Sequence, residues 1–152
     1  TNSGKMHNNL EKELAVYLGV PHISLFNNGT ISLLVALKAL DLPAGSEIIT
    51  TPYSFVATAH AIVWGDFIPV FVDVDQNTCN IDIGSIEDTI TENTSAIMGV
   101  HCYGNPCDVA GLDKLGQKYN LKVVYDAAHA FGVNVKCTLK PINYLTIFIL
   151  IY

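Results

Sequence analysis

Apolar residues recur along the chain in two alternating periods. Leu10, Leu14, Ala15, Tyr17 and Leu18 fall on one face at helical spacing and predict a helix that Gly19 stops. Residues 23–26 read as a short strand, residues 30–40 as a helix ended by Asp41-Leu42-Pro43, and Glu47–Thr50 as a strand closed by Pro52. A helix over 55–64, a strand over 68–74, a helix near 83–90, a strand over 96–100, a helix over Val109–Tyr119 and a strand over 121–125 complete the pattern. Strands that alternate with helices through short loops predict a three-layer α/β/α architecture around a mostly parallel, doubly wound sheet.

After Lys136 the alternation dissolves. The run 144–152 is aliphatic on both faces, which as a core strand would need cover on both sides, and it is too short to span a bilayer. The expectation is one large domain over residues 1–136, itself incomplete, and a divergent tail over 137–152 from truncation or frame-shifted read-through. The opening Thr1-Asn2-Ser3-Gly4 has neither Met nor the charged and apolar stretches of a signal peptide, so the expected location is the cytoplasm with no membrane partner.

Composition narrows the ligand classes. The 152 residues are half hydrophobic, with mean hydropathy +0.35, so a sizeable core is available. A net charge of −6 and a pI near 5.1 argue against nucleic acid, whose binding rests on Lys and Arg. All eight basic residues are lysines, so an anion would be held by backbone N–H groups, a helix N-terminus or Lys. Cys79, Cys102, Cys107 and Cys137 form no C-x-x-C pair and read as reduced thiols; His101, Cys102 and Cys107 have the wrong separation for zinc, and no metal is expected.

Three strand ends carry candidate chemistry. The apolar run Val123-Val124-Tyr125 ends in Asp126-Ala127-Ala128-His129-Ala130-Phe131-Gly132. Ligands of open α/β sheets sit just beyond carboxyl strand ends, and a carboxylate flanked by alanines suits a protonated aromatic nitrogen. The plainer reading makes Asp126 a helix cap and His129 a satisfied polar residue. Phe26-Asn27-Asn28-Gly29-Thr30 leads straight into a helix, so free N–H groups, the helix dipole and the Thr30 hydroxyl offer an anion site, unless Asn28 or Thr30 serves only as N-cap. In Thr51-Pro52-Tyr53-Ser54-Phe55, Phe55 either stacks over a planar ring or belongs to the core.

A phosphate cradle, an aromatic lid and an acid for a ring nitrogen are what pyridoxal 5′-phosphate requires. The same segments, with Val70-Phe71-Val72-Asp73-Val74 and His101-Cys102-Tyr103-Gly104 followed by Pro106 and Asp108, resemble the DegT/DnrJ/StrS family of sugar-nucleotide aminotransferases in family order over roughly residues 1–136. The resemblance implies part of the large domain of a fold type I (aspartate aminotransferase-like) transferase. By it, Thr30 and the Gly29 and Ile31 backbone hold the cofactor phosphate and Phe55 stacks on the ring. Asp126 pairs with the ring nitrogen, Ala128 lies against the opposite ring face, and His129 is near the phenolic oxygen. His101 and Tyr103-Gly104 would support the site structurally or lie on the substrate approach.

The resemblance also implies transamination of a nucleotide-linked keto-deoxysugar, closest to a dTDP-4-keto-6-deoxyhexose for surface polysaccharide synthesis, with an amino-acid donor (glutamate) and a homodimer. The family's imine-forming lysine stands in a Ser-Phe-His-x-x-Lys type motif, which is absent from these 152 residues; Lys136 and Lys140 follow Asp126 too closely. A second reading is therefore a non-catalytic fragment that at most binds the cofactor weakly. A Rossmann hydride-transfer protein would need G-x-G-x-x-G after its first strand, which Asn27-Asn28-Gly29-Thr30 is not.

Overall fold

The computed structural model describes residues 4–133 and 145–147. Five helices, α1 (Lys5–Leu18), α2 (Gly29–Ala39), α3 (Ala57–Trp64), α4 (Ile83–Ile86) and α5 (Val109–Tyr119), alternate with strands β1 (Glu47–Thr50), β2 (Ile68–Phe71), β3 (Thr94–Val100), β4 (Lys122–Asp126) and β5 (Leu145–Ile147). The strands form one sheet in the order β2-β1-β3-β4-β5, and every neighbouring pair is parallel.

Alternation along each strand sends side chains to two cores. Ile48, Ala96, Met98 and Val124 face Leu33, Ala36 and Leu37 of α2 and Ala57, Ala61 and Ile62 of α3. Ile49, Ile97, Val123 and Tyr125 face the other way, onto Ile86 of α4 and Leu112 and Leu115 of α5. The strands β1, β3 and β4 are thus buried on both faces, as near-continuous apolar strands require.

Helix ends follow the local chemistry. Asn28 caps α2 by accepting from the Ile31 N–H (2.9 Å), and Asp108 caps α5 by accepting from the Gly111 N–H (3.0 Å). Gly19 closes α1 in the left-handed region at φ 67°, where its N–H donates to the Val16 carbonyl. Gly116 lets α5 lie directly on the sheet: a Cβ there would stand 2.8 Å from Val123 Cγ2.

Three expected elements differ. Residues 23–26 form no strand; Leu25 and Phe26 instead line a cavity of about 720 Å³ against Met6, Leu10 and Glu13 of α1. A four-residue apolar run does not distinguish sheet pairing from extended packing on a helix. The helix expected over 55–64 begins at Ala57, leaving Phe55 in the preceding loop. The helix expected near 83–90 is one turn of α4 followed by a 3₁₀ turn over Glu87–Thr89. Within the tail, Leu145–Ile147 pair with Val124, Tyr125 and Asp126, while the rest of 137–152 lies outside the described residues.

Candidate active site

β1, β3 and β4 all point their carboxyl ends to one edge of the sheet, and the loops that leave them meet there. At the end of β4, Asp126 is 6% exposed and both of its carboxylate oxygens are held. Oδ2 accepts from the hydroxyl of Thr58 (2.9 Å), itself fully buried on the first turn of α3, and Oδ1 accepts from the backbone N–H of Ala128 (3.1 Å). A buried carboxylate is costly unless hydrogen-bonded, and these donors supply the partners. Each oxygen retains acceptor capacity for a further donor.

The segment after Asp126 does not begin a helix among the described residues, so Asp126 is not an N-cap. It turns sharply: the Ala130 N–H donates to the Ala127 carbonyl (2.9 Å), burying Ala127 and Ala130 and leaving Ala128 and His129 exposed beside the carboxylate. A methyl is all that Ala128 presents there.

The turn into α2 supplies the second group. The amides of Gly29 and Thr30 lie in the first turn, where no intrahelical acceptor exists, and Thr30 is half-buried. Asn28 is the N-cap, and its side chain already takes the Ile31 amide. Of the expected anion donors, the Gly29 and Thr30 groups are therefore open to a ligand, while Ile31 is engaged by the cap.

Phe55 is no core residue. Its ring is 73% exposed in the loop between β1 and α3, and its carbonyl accepts from the Thr58 N–H (3.1 Å). The residue that offers an exposed ring and the residue that grips Asp126 are thus one turn apart.

His101 packs rather than reaching out. It is 7% exposed, stacks on Tyr125 (ring centroids 5.0 Å, 23°), and its Nδ1 accepts from the Cys107 N–H (3.1 Å). Burial holds its pKa below the usual histidine value, a shift opposed by the nearby Asp126 charge, and the accepting Nδ1 requires the tautomer protonated on Nε2. The expected supporting role fits this placement. His60 is exposed on α3 and stacked on Trp64, and Asp75 closes a turn by accepting from Asn77, Thr78 and the Thr78 hydroxyl.

Two contributors had no role in the sequence reading. Thr58 stands among alanines, and the only signal was a hydroxyl on a helix face that must be buried, where it needs a partner. Asn80 is 3% exposed and ties the loop after β3 by donating to the carbonyls of Asn105 and Pro106 (3.0 Å each) and accepting from the Cys102 N–H (3.1 Å).

A parallel three-layer domain with a carboxylate held at a strand end and an exposed aromatic in the loop after β1 has the architecture of part of a fold type I pyridoxal-phosphate transferase. The comparisons agree. Residues 1–140 match the sequence profile of the DegT/DnrJ/EryC1/StrS aminotransferase family, and the chain belongs to that family.

Relatives include the dTDP-4-amino-4,6-dideoxy-D-glucose transaminases of Escherichia coli, 57% identical over 136 residues, and of Shigella dysenteriae, 62% identical over 133 residues. These alignments cover 90% and 88% of this chain but 36% of each relative, so the chain spans about a third of their length. Among solved structures, NtdA from Bacillus subtilis with bound cofactor PMP superposes with a TM-score of 0.84 at 35% identity, covering 86% of this chain and 30% of that one. DesI in the presence of its TDP-sugar product gives 0.83 at 36% identity, covering 89% and 34%.

Proposed function

We propose that this chain forms the cofactor-binding half of a pyridoxal-phosphate-dependent aminotransferase site that acts on a nucleotide-linked keto-deoxysugar. The observation that carries the reading is Asp126, a buried carboxylate gripped on both oxygens at a strand end, next to an exposed alanine methyl. Such a group fits a cationic ring nitrogen under a flat ring. The residue types assigned to the cofactor suit it: Gly29 and Thr30 amides and the Thr30 hydroxyl for its phosphate, Phe55 for one ring face, Ala128 for the other, His129 for the phenolic oxygen.

When bound, pyridoxal phosphate supplies an electron sink for negative charge at the amino-acid Cα. Asp126 keeps a proton at the ring nitrogen, since an adjacent anion favours the charged form of a base. Thr58 and the Ala128 amide prevent the carboxylate from rotating away. The dipole of α2 and its open amides neutralise phosphate charge that no arginine is present to meet. Phe55 excludes water from the ring face it covers.

The names of these relatives support a dTDP-4-keto-6-deoxy-D-glucose substrate aminated at C4. Glutamate as donor and a cytoplasmic homodimer follow from the family resemblance alone. The described residues contain no helix long and apolar enough to cross a membrane. No Ser-x-His-x-x-Lys stretch occurs in the 152 residues, which favours a second reading of this chain by itself, as a binding unit without turnover.

The test is calorimetric titration of the chain with pyridoxine 5′-phosphate, which has no aldehyde to react with surface lysines. One saturable site is expected, and Asp126→Asn, which keeps a similar shape but loses the charge, should weaken it about tenfold, worth roughly 1.4 kcal/mol. Equal affinity in that variant would refute the assignment of Asp126.

A further inference from the structure

Tyr103 adopts a left-handed backbone, φ 52° and ψ 26°, while its side chain is 77% exposed. For a bulky non-glycine residue that conformation is strained, and burial of the ring does not repay it. Such strain persists where the surroundings over-determine it, and it concentrates at functional sites.

The surroundings do so here. The His101 N–H donates to the Asp126 carbonyl (3.0 Å), the Cys102 N–H to Asn80 Oδ1 (3.1 Å), the Cys102 thiol to the Tyr53 carbonyl (3.3 Å), and the Gly104 N–H to the His101 carbonyl (3.2 Å). Gly104, at φ 79°, lies so close to the next loop that a Cβ on it would stand 3.0 Å from the His129 carbonyl oxygen. The loops after β1, β3 and β4 are thereby locked to one another.

The locked conformation lays the Tyr103 ring along the His129 imidazole, with centroids 6.2 Å apart and planes 19° from parallel. Its phenol stands 3.2 Å from that of Tyr53, whose ring meets it edge-on at 6.3 Å. The hydrogen bond with Tyr103 pushes the Tyr53 phenol up to about 12.

We propose that Tyr103, braced by Tyr53, is a positioning residue for His129, fixing the plane of an otherwise exposed imidazole at the mouth of the site. The value of that orientation rests on the cofactor reading above, in which His129 meets the phenolic oxygen. The positioning itself is a property of this chain. A surface loop residue with no such task would gain from losing its side chain, because glycine adopts the same backbone freely.

The experiment compares Tyr103→Phe and Tyr103→Gly in the 152-residue chain by three readouts: thermal midpoint, the His129 Hε1 NMR resonance (assigned by its loss in His129→Ala), and the Kd for pyridoxine 5′-phosphate. Tyr103→Gly should keep or raise the midpoint, move Hε1 towards the shift of a free imidazole, and weaken binding roughly 3- to 10-fold. Tyr103→Phe, which keeps the ring but loses the phenol that Tyr53 braces, should move Hε1 and Kd in the same direction by less than Tyr103→Gly does. The double variant with His129→Ala should bind no worse than His129→Ala alone.

An unmoved Hε1 in Tyr103→Gly, a lowered midpoint, or additive losses in the double variant would overturn the proposal. If the wild-type chain bound no pyridoxine 5′-phosphate, the cofactor reading would fall, and the Hε1 shift would still show whether Tyr103 orients His129.

Discussion

The Thr58 hydroxyl donates to Asp126 Oδ2 across 2.9 Å, although the two residues lie 68 positions apart and β3 lies between β4 and β1, the strand that precedes α3. This bond joins the first turn of α3 to the end of β4 and makes the orientation of the carboxylate a property of the whole sheet edge. Thr58→Val preserves shape and removes only the donor. Leaving a buried carboxylate short of a partner should cost about 1–3 kcal/mol. Urea unfolding at neutral pH measures it, and Thr58→Ser should recover most of the loss. A Val variant as stable as wild type would show that the carboxylate does not depend on this donor.

The cap of α2 separates folding from ligand binding. Asn28→Asp keeps an acceptor for the Ile31 amide and adds a negative charge at the helix N-terminus, where it is favourable by about 0.3–1 kcal/mol. The same charge opposes an incoming phosphate at Gly29 and Thr30. Unchanged or slightly raised stability, together with several-fold weaker binding of pyridoxine 5′-phosphate, is the expected pair of results. Tighter binding in the variant would place the phosphate elsewhere.

Much of this was legible in the sequence because β1 and β4 are buried apolar runs that end in the polar residues Thr50 and Asp126. Val123, Val124 and Tyr125 could hardly be anything but a core strand, and Asp126 marks its end. The same logic failed at Ile23, Ser24, Leu25 and Phe26, where a short apolar run pairs with no strand: Leu25 and Phe26 line a cavity beside α1, and none of the four residues is buried. Phe55 illustrates the opposite limit, since the pattern placed it inside a helix that begins two residues later. The Thr58 bond and the Tyr53–Tyr103 link were invisible because each joins residues about 50 or more positions apart, a distance over which periodicity carries no information.

His101 makes stability depend on pH in a defined direction. Burial lowers its folded-state pKa below the unfolded value of 6.5, so the unfolded chain binds more protons between those two values. Stability then rises with pH in that window. Its contribution is fully present above about 6.5 and declines as pH falls towards the folded value. His101→Asn places a neutral acceptor near the Nδ1 position that takes the Cys107 N–H. Urea unfolding of both proteins from about pH 7.5 down to 5.5 should show a steeper fall for wild type below about 6.5. Parallel profiles would mean that His101 accepts a proton without loss of its packing on Tyr125.

Phe55 tests the site against the core. A core phenylalanine truncated to alanine loses roughly 3–5 kcal/mol, whereas an exposed side chain away from special features changes stability by no more than about 0.5 kcal/mol. At 73% exposure, Phe55 belongs to the second group, so Phe55→Ala should unfold at nearly the wild-type urea concentration. Loss of a ring that stacks on the ligand should nevertheless weaken pyridoxine 5′-phosphate binding by about 0.5–1.5 kcal/mol, and Phe55→Tyr or Phe55→Trp should restore it. A variant that loses stability but not affinity would return Phe55 to the core. One that loses neither would leave the exposed ring face of the ligand to some other residue, and the aromatic lid would have to be sought among Tyr53 and Tyr103.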